Sequence, residues 1–144
     1  MYTPQRYAVL EAIARGANSY SKISKLTGIS IYNVLEIVNQ LEAEGLIERK
    51  IKGFIFKKEV YELTSKGKIV LNEWREKAIA DLKKAEELKE EGKEEEAKEI
   101  LVPYMQILPF ILTLDVFSFL ALSELMMLIS MTDILANDWN VEFY

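Results

Sequence analysis

The feature that most constrains the fold is a change of hydrophobic period at Gly45. Before this glycine, residues 30–44 are predicted to form a helix with one apolar stripe, made of Ile31, Val34, Leu35, Val38 and Leu41. After it, Ile47, Arg49 and Ile51 alternate with charged residues, as in a half-buried β-strand. A second strand is predicted over about 56–63, with a turn near Gly53. The pattern therefore predicts a helix followed directly by a β-hairpin.

Two further helices are predicted before this unit. Thr3 followed by a proline is typical of a helix start, and apolar residues then recur at helical spacing over 4–15. Ser19 or Ser21 can cap a short second helix, which Gly28 would close, and Ser30 can cap the longer helix that follows. Two helices around so short a turn form a helix-turn-helix arrangement.

Two groups of residues mark the passages into and out of the hairpin. The first comprises Leu41, Gly45, Leu46 and Ile47, and the second comprises Tyr61, Leu63, Thr64 and Gly67. With the three helices, they resemble the winged helix-turn-helix domain of MarR, PadR and ArsR-type transcription regulators over roughly residues 1–74. The resemblance implies a mainly α fold with a small β-hairpin wing, binding to double-stranded DNA, and dimerisation through added helices.

The resemblance also implies where DNA would be contacted. It places four residues of the exposed start of the 30–44 helix at the major groove as base-reading residues: Ser30, Tyr32, Asn33 and Glu36. Asn33 is the best reader because an amide can pair with adenine in two places, whereas Glu36 can accept only from cytosine. Ser30 has the alternative role of a helix cap alone.

Basic residues lie beside that helix rather than on it. The predicted exposed side of the helix, which includes Ile37, Asn39 and Gln40, carries no lysine or arginine. Phosphate contacts are instead predicted for residues of the preceding helix and the wing: Lys22, Lys25, Arg49, Lys50, Lys52, Lys57 and Lys58.

Net charge divides the chain in two. Residues 1–70 contain eleven Lys/Arg and seven Asp/Glu, whereas residues 71–144 contain seven and sixteen. A basic first half is compatible with a nucleic-acid face confined to it, although uneven decoration of a surface would give the same count.

Composition excludes several kinds of chemistry. The chain has no cysteine and no histidine, which excludes disulfides, Cys/His zinc sites and histidine-based triads. No phosphate-binding, nucleophile-elbow or calcium-loop motif is present, so we expect no enzyme, metal or cofactor. The start lacks a basic segment followed by a long apolar run, which favours the cytoplasm.

The second half is predicted to be helical. A helix from Ser65 should bury a stripe that reaches Leu88, made of Ile69, Val70, Trp74, Ala78, Ile79, Leu82 and Ala85. Gly92 should break it into a solvated helical hairpin, with Glu94 and Lys98 at supporting spacing.

The stretch 100–136 is apolar almost throughout. A membrane span over 107–131 is one interpretation of its length. However, Asp115 and Glu124 would lie on opposite sides of one helix, Pro103 and Pro109 should bend its start, and no basic cluster flanks it. Because so small a winged domain should not bury the stretch alone, we expect a homodimer whose segments after Ser65 exchange or pair across a two-fold axis.

Two smaller expectations concern apolar residues. Four methionines could line a cavity for a small apolar effector in the dimer core, although packing is their usual role: Met105, Met126, Met127 and Met131. At the wing tip, Phe54, Ile55 and Phe56 form an apolar run in a turn. We expect them to pack on a partner subunit or on the chain's own second half rather than to enter a DNA minor groove.

The sequence thus predicts a winged helix-turn-helix domain over 1–70 and a helical, apolar dimerisation region over 71–144. The leading function is that of a cytoplasmic, homodimeric DNA-binding transcription regulator. One alternative is a winged-helix module for protein contacts that does not bind DNA. The other is a winged-helix protein tethered to a membrane by 107–131, although membrane contact is not what the charge pattern favours.

Overall fold

The computed structural model describes residues 1–117. Its helices and strands follow in the order α1 (Pro4–Ala14), α2 (Tyr20–Thr27), α3 (Ile31–Ala43), β1 (Ile47–Lys52), β2 (Lys58–Leu63), α4 (Ser65–Glu90) and α5 (Glu94–Leu101), then a 3₁₀ helix (Val102–Ile107), α6 (Leu108–Leu112) and a 3₁₀ turn (Asp115–Phe117). The chain is mainly α with one two-stranded antiparallel hairpin, as predicted.

Helix α1 lies at the centre of the described fold. It contacts α2, α3, β2, α4 and the 3₁₀ helix, and all its residues from Arg6 to Ile13 are buried. Because the sequence there is apolar on every side apart from Arg6 and Glu11, the helix can be surrounded by neighbours.

Side-chain caps start the first three helices where the sequence predicts them. The Oγ1 atom of Thr3 accepts from Arg6 N at 3.1 Å, Ser19 Oγ accepts from Lys22 N at 3.3 Å, and Ser30 Oγ accepts from Asn33 N at 3.3 Å. Gly28 ends α2 in the left-handed conformation, with φ of 82°. These caps confirm the predicted starts, and α1 ends one residue earlier than expected.

Several of the residues on which the family resemblance rests join the base of the wing to the start of α4. Thr64 donates its hydroxyl to Gly45 O at 2.6 Å and accepts from Gly67 N at 3.0 Å. Its own N–H donates to Leu46 O at 3.0 Å. A Cβ on Gly67 would lie 1.9 Å from that same Leu46 oxygen. Only glycine therefore allows the first turn of α4 to approach the start of β1 so closely.

The wing projects further from the core than the alternating pattern suggests. Strand β1 pairs with β2 from Ile47 opposite Leu63 to Lys52 opposite Lys58. Only Ile47 of β1 is buried, so the expectation of a half-buried strand is wrong beyond its first residue. A two-stranded hairpin has no further layer to cover its outer part. Strand β2 also starts later than the predicted position 56.

Helix α4 buries a different stripe from the predicted one at its start. Gly67 and Leu71 face the core, whereas Ile69 is exposed and Val70 is half-buried. The close approach of Gly67 to β1 sets this rotation, because residues four apart share a helix face. From Trp74 onward, Ala78, Leu82, Ala85 and Leu88 are buried as predicted.

The predicted helical hairpin is present, with one pairing changed. Gly92 adopts φ of 79°, and Lys93 N donates to Leu88 O at 2.8 Å, which closes α4 and lets α5 turn back along it. Lys98 pairs with Glu95 at 3.3 Å rather than with the predicted Glu94.

The start of the apolar stretch is broken at its prolines, as predicted. Pro103 lies in the 3₁₀ helix and Pro109 in the first turn of the short α6. The expectation that this stretch needs a partner for burial is wrong for most of its described part, although Val102 and Leu112 are exposed. The residues of this stretch that are buried within the single chain are Leu101, Tyr104, Ile107, Leu108, Phe110, Ile111, Leu114 and Phe117.

The C-terminal predictions fall largely beyond the part of the chain described. No helix within residues 1–117 is long and apolar enough to cross a bilayer. Glu124, Met126, Met127, Met131 and most of the proposed span 107–131 lie outside the described residues.

Candidate nucleic-acid interface

A polar clamp that the sequence reasoning missed fixes the orientation of α3. The guanidinium of Arg6 donates to Gln40 Oε1 at 2.7 Å and also pairs with the Glu44 carboxylate. Its carbon lies 5.5 Å from the centre of the Trp74 ring. The bond from Arg6 holds the pKa of Glu44 below its usual range. An arginine inside the otherwise apolar α1 was the available signal.

A second buried group joins α1 to α4. The side chain of Glu11 has no exposed surface, and Arg75 donates to its two oxygens at 3.1 and 2.7 Å. The Tyr7 hydroxyl also donates to Glu11, at 3.2 Å. Burial, followed by the charge of Glu11, raises the pKa of Tyr7. This arrangement satisfies a carboxylate that would otherwise be costly to bury.

The C-terminal segment reaches the turn of the helix-turn-helix. Gln106 donates from its side chain to Gly28 O at 3.2 Å and accepts from the Gln5 amide at 2.8 Å. Nearby, the Tyr104 hydroxyl donates to Asp81 at 2.7 Å and is bonded to the Tyr2 hydroxyl. The helix-turn-helix is therefore held on its inner side by residues distant in sequence.

All four predicted base-reading residues are exposed at the start of α3. Ser30 is engaged as the helix cap. The side chains of Tyr32, Asn33 and Glu36 have no hydrogen bond or ion pair with any described residue. Tyr32 is 87% exposed. The arrangement leaves these three side chains available to a ligand.

The outer face of α3 is more apolar than predicted. Ile37, expected to be exposed, is buried, whereas Ile31 and Leu35, expected to be buried, are 50% and 36% exposed. Two apolar stripes overlap on this helix, and α1 and α2 cover the one formed by Val34, Ile37, Val38 and Leu41. We use "outer α3 patch" for the exposed apolar set Leu26, Ile31, Tyr32 and Leu35.

The seven predicted phosphate-binding residues divide into two groups. Arg49 pairs with Glu42 at 2.9 Å, Lys50 with Glu62 at 3.1 Å, and Lys52 with Glu62. The Lys52 bond lowers the pKa of Glu62, the largest of several such contributions. Among residues 1–117, no ion pair involves the remaining four, which are Lys22, Lys25, Lys57 and Lys58.

The wing tip is exposed, and no described residue of the second half covers it. Phe54 is fully exposed, and Ile55 and Phe56 are each 86% exposed. The expected packing on the chain's own second half is therefore absent from the described region. Packing on a partner subunit stays a prediction.

The described residues add no candidate ligands for a metal ion or a small effector. No group of potential ligands among residues 1–117 could hold a metal ion. Of the methionines predicted to line an effector cavity, Met105 is half-buried and the other three lie outside the described residues. The effector therefore stays a prediction.

Comparison with known families agrees with this architecture. A family described as winged helix-turn-helix matches residues 6–84, which span α1 to most of α4. No curated protein and no solved structure matches the chain.

Proposed function

Because the chain belongs to the winged helix-turn-helix family, we propose that it is a cytoplasmic, homodimeric DNA-binding transcription regulator that acts without covalent catalysis. A helix-turn-helix domain itself suggests DNA binding. The observation that carries the proposal is the exposed start of α3, where Tyr32, Asn33 and Glu36 have no partner among residues 1–117.

In this proposal α3 reads base edges in the major groove. Asn33 pairs with adenine through its amide, Glu36 accepts from cytosine, and Tyr32 supplies a ring for apolar contact with a thymine methyl group. Ser30 caps the helix and can contact a base from the same position.

Phosphates are held from both sides of α3. Lys22 and Lys25 on α2, with Lys57 and Lys58 on the wing, have no ion pair within residues 1–117 and neutralise phosphates directly. Arg49, Lys50 and Lys52 must first exchange a carboxylate for a phosphate, so we assign them a smaller contribution.

Dimerisation would occur through the region 71–144, together with the exposed part of α4. Ile69, Val102 and Leu112 are large apolar residues exposed beyond Ser65, which supports a protein contact there. A two-fold axis would place two α3 helices about 34 Å apart on a palindromic site. Light scattering without detergent tests this, and a monomer at high concentration contradicts it.

DNA binding is tested by fluorescence anisotropy with the upstream duplex of the protein's own gene and a scrambled duplex, at several salt concentrations. Asn33→Ala should lose about tenfold to a hundredfold affinity for the upstream duplex. Asn39→Ala, an exposed asparagine farther along α3, is the matched control and should lose little. Replacing Lys22 and Lys25 with glutamine should weaken binding to both duplexes and reduce the salt slope by about two.

The outer α3 patch favours a second candidate, a protein-interaction module. Helix α3 itself carries exposed apolar side chains and no cation, a composition more typical of protein contacts than of phosphate contacts. Ile31→Lys distinguishes the two candidates. It adds a cation that should maintain or strengthen DNA affinity, but it should abolish an apolar protein contact. Absence of binding to either duplex at low salt favours the second candidate.

A further inference from the structure

The wing tip is a sharp turn that presents three apolar side chains at its end. Gly53 adopts φ of 112°, and a Cβ added there would lie 2.2 Å from Phe56 O. The chain therefore reverses closely around Phe54, Ile55 and Phe56, whose side chains are almost fully exposed. Ile51, on the adjoining strand, is also exposed. No contact within residues 1–117 requires this apolar group.

Cations follow the apolar group directly. Lys57 and Lys58 are exposed and have no ion pair in the described part of the chain. Over the whole wing, residues 47–63 contain five Lys/Arg and three Glu. An apolar end with cations beside it is complementary to a surface that is anionic outside and apolar beneath.

From this geometry we propose that the wing tip inserts into the interface of an anionic lipid bilayer. Phe54, Ile55 and Phe56 enter the boundary between headgroups and acyl chains, and Lys57 and Lys58 contact the anionic headgroups. This is a peripheral contact and does not require a spanning helix. It does not rest on the proposed DNA binding, but it uses Lys57 and Lys58, which that proposal assigns to phosphates, so one wing would not hold lipid and DNA with these lysines at the same time. It also departs from the expectation that the tip packs on protein.

The shape of the tip favours lipid over a DNA groove. Consecutive residues in a tight turn point in different directions, so one side chain at most could enter a base step. The minor groove is only about 6 Å wide, and the other two side chains would meet phosphates. A fluid interface can accept all three at once.

The test uses a fluorescent reporter on the tip of the full chain. Because the chain has no cysteine, Ile55→Cys accepts a single environment-sensitive dye. Co-sedimentation alone would not be specific, since the apolar stretch 100–136 could itself carry the protein to vesicles. The dye should shift to the blue with phosphatidylcholine vesicles containing phosphatidylglycerol. The same dye on Ala43→Cys, an exposed alanine at the end of α3, is the matched control and should not shift.

Substitutions then assign the contact to the two parts of the tip. In the labelled protein, Phe54→Ser with Phe56→Ser should raise the lipid concentration that gives half of the blue shift by about tenfold or more. Lys57→Gln with Lys58→Gln should raise that concentration about tenfold on anionic vesicles. All four positions are exposed, so these variants should keep the wild-type circular dichroism spectrum.

Three results would overturn the proposal. The first is no blue shift at position 55 at any lipid concentration. The second is an equal shift on pure phosphatidylcholine vesicles, which would remove the role of the cations. The third is a shift produced without lipid by unlabelled protein, which would assign the tip to a second copy of the chain.

Discussion

The inner and outer sides of the helix-turn-helix differ in how their side chains are used. On the inner side, α1 is enclosed, and even its charged residues Arg6 and Glu11 are bonded to residues far away in sequence. On the outer side, the outer α3 patch and the wing tip expose apolar residues without a described partner. The comparison separates residues that stabilise the fold from residues that the fold leaves available for binding.

Residues of the same type also differ in burial between the inner and outer sides. Leu41 and Leu35 are both leucines of α3, yet Leu41 is fully buried and Leu35 is 36% exposed. Likewise Glu11 and Glu36 are both helical carboxylates: Glu11 is buried and bonded, whereas Glu36 is exposed and has no partner in the described part of the chain. Such pairs allow the two sides to be compared with the same chemical change.

The largest expected effect comes from breaking the buried carboxylate cluster. Glu11→Ala leaves Arg75 and Tyr7 without their acceptor in a buried site, and should lower the free energy of unfolding by about 3–5 kcal/mol. Urea denaturation followed by circular dichroism measures it. Glu36→Ala is the control and should change stability by less than about 0.5 kcal/mol. Equal losses would contradict the division into inner and outer sides.

An intermediate effect is expected for the leucines of α3. Leu41→Ala should cost about 2–5 kcal/mol because it leaves a cavity against neighbouring helices. Leu35→Ala should cost less than about 1 kcal/mol, since part of the side chain is already in water. Thermal and urea unfolding of both variants measure the difference. A loss for Leu35→Ala as large as that for Leu41→Ala would mean that the predicted stripe, which contains both leucines, is buried.

The smallest effect concerns pH and the clamp between α1 and α3. The pKa of Glu44 is lowered, first by its bond to Arg6 and also by the amino group of Met1. Its contribution to stability is therefore present above its unfolded pKa and is lost as pH falls through its folded pKa. Because Glu44 is partly exposed, the loss should be below about 1 kcal/mol and smaller in high salt.

Unfolding of wild type and Glu44→Gln, measured from neutral to acidic pH, checks this. Wild type should be the more stable protein at neutral pH, and the difference should shrink on acidification. A difference that grows as pH falls would show that the clamp does not depend on the Glu44 charge.

Much of the fold could be predicted from local sequence signals. Ser19, Ser30 and Gly28 act where the sequence places them, because caps and left-handed glycines depend on a few neighbouring atoms. The structure at the base of the wing could be predicted from Thr64 and Gly67 for the same reason. Helix faces were less predictable, since both α3 and α4 carry overlapping apolar stripes whose burial depends on what packs against them.

For the candidate site, the residue types could be predicted but their partners could not. The exposure of Tyr32, Asn33 and Glu36 follows from helical spacing. Lys50 and Lys52 pair with Glu62 because of the strand register, which sets Lys50 opposite Val60 and thereby brings it near Glu62. Arg49 pairs instead with Glu42 of α3, and Lys57 and Lys58 have no ion pair within residues 1–117. The Arg6 clamp joins residues more than thirty positions apart.

The sequence by itself therefore determined the order of the elements through the helical hairpin, most of the helix starts and the family, because caps, turns and hydrophobic period act over a few residues. The tertiary structure alone decided three further points: which stripe of α3 is buried, how the start of the apolar C-terminal stretch packs against α1, and which cations form ion pairs within residues 1–117. Each depends on contacts between distant segments, and the free energy of burial is settled only when those segments meet.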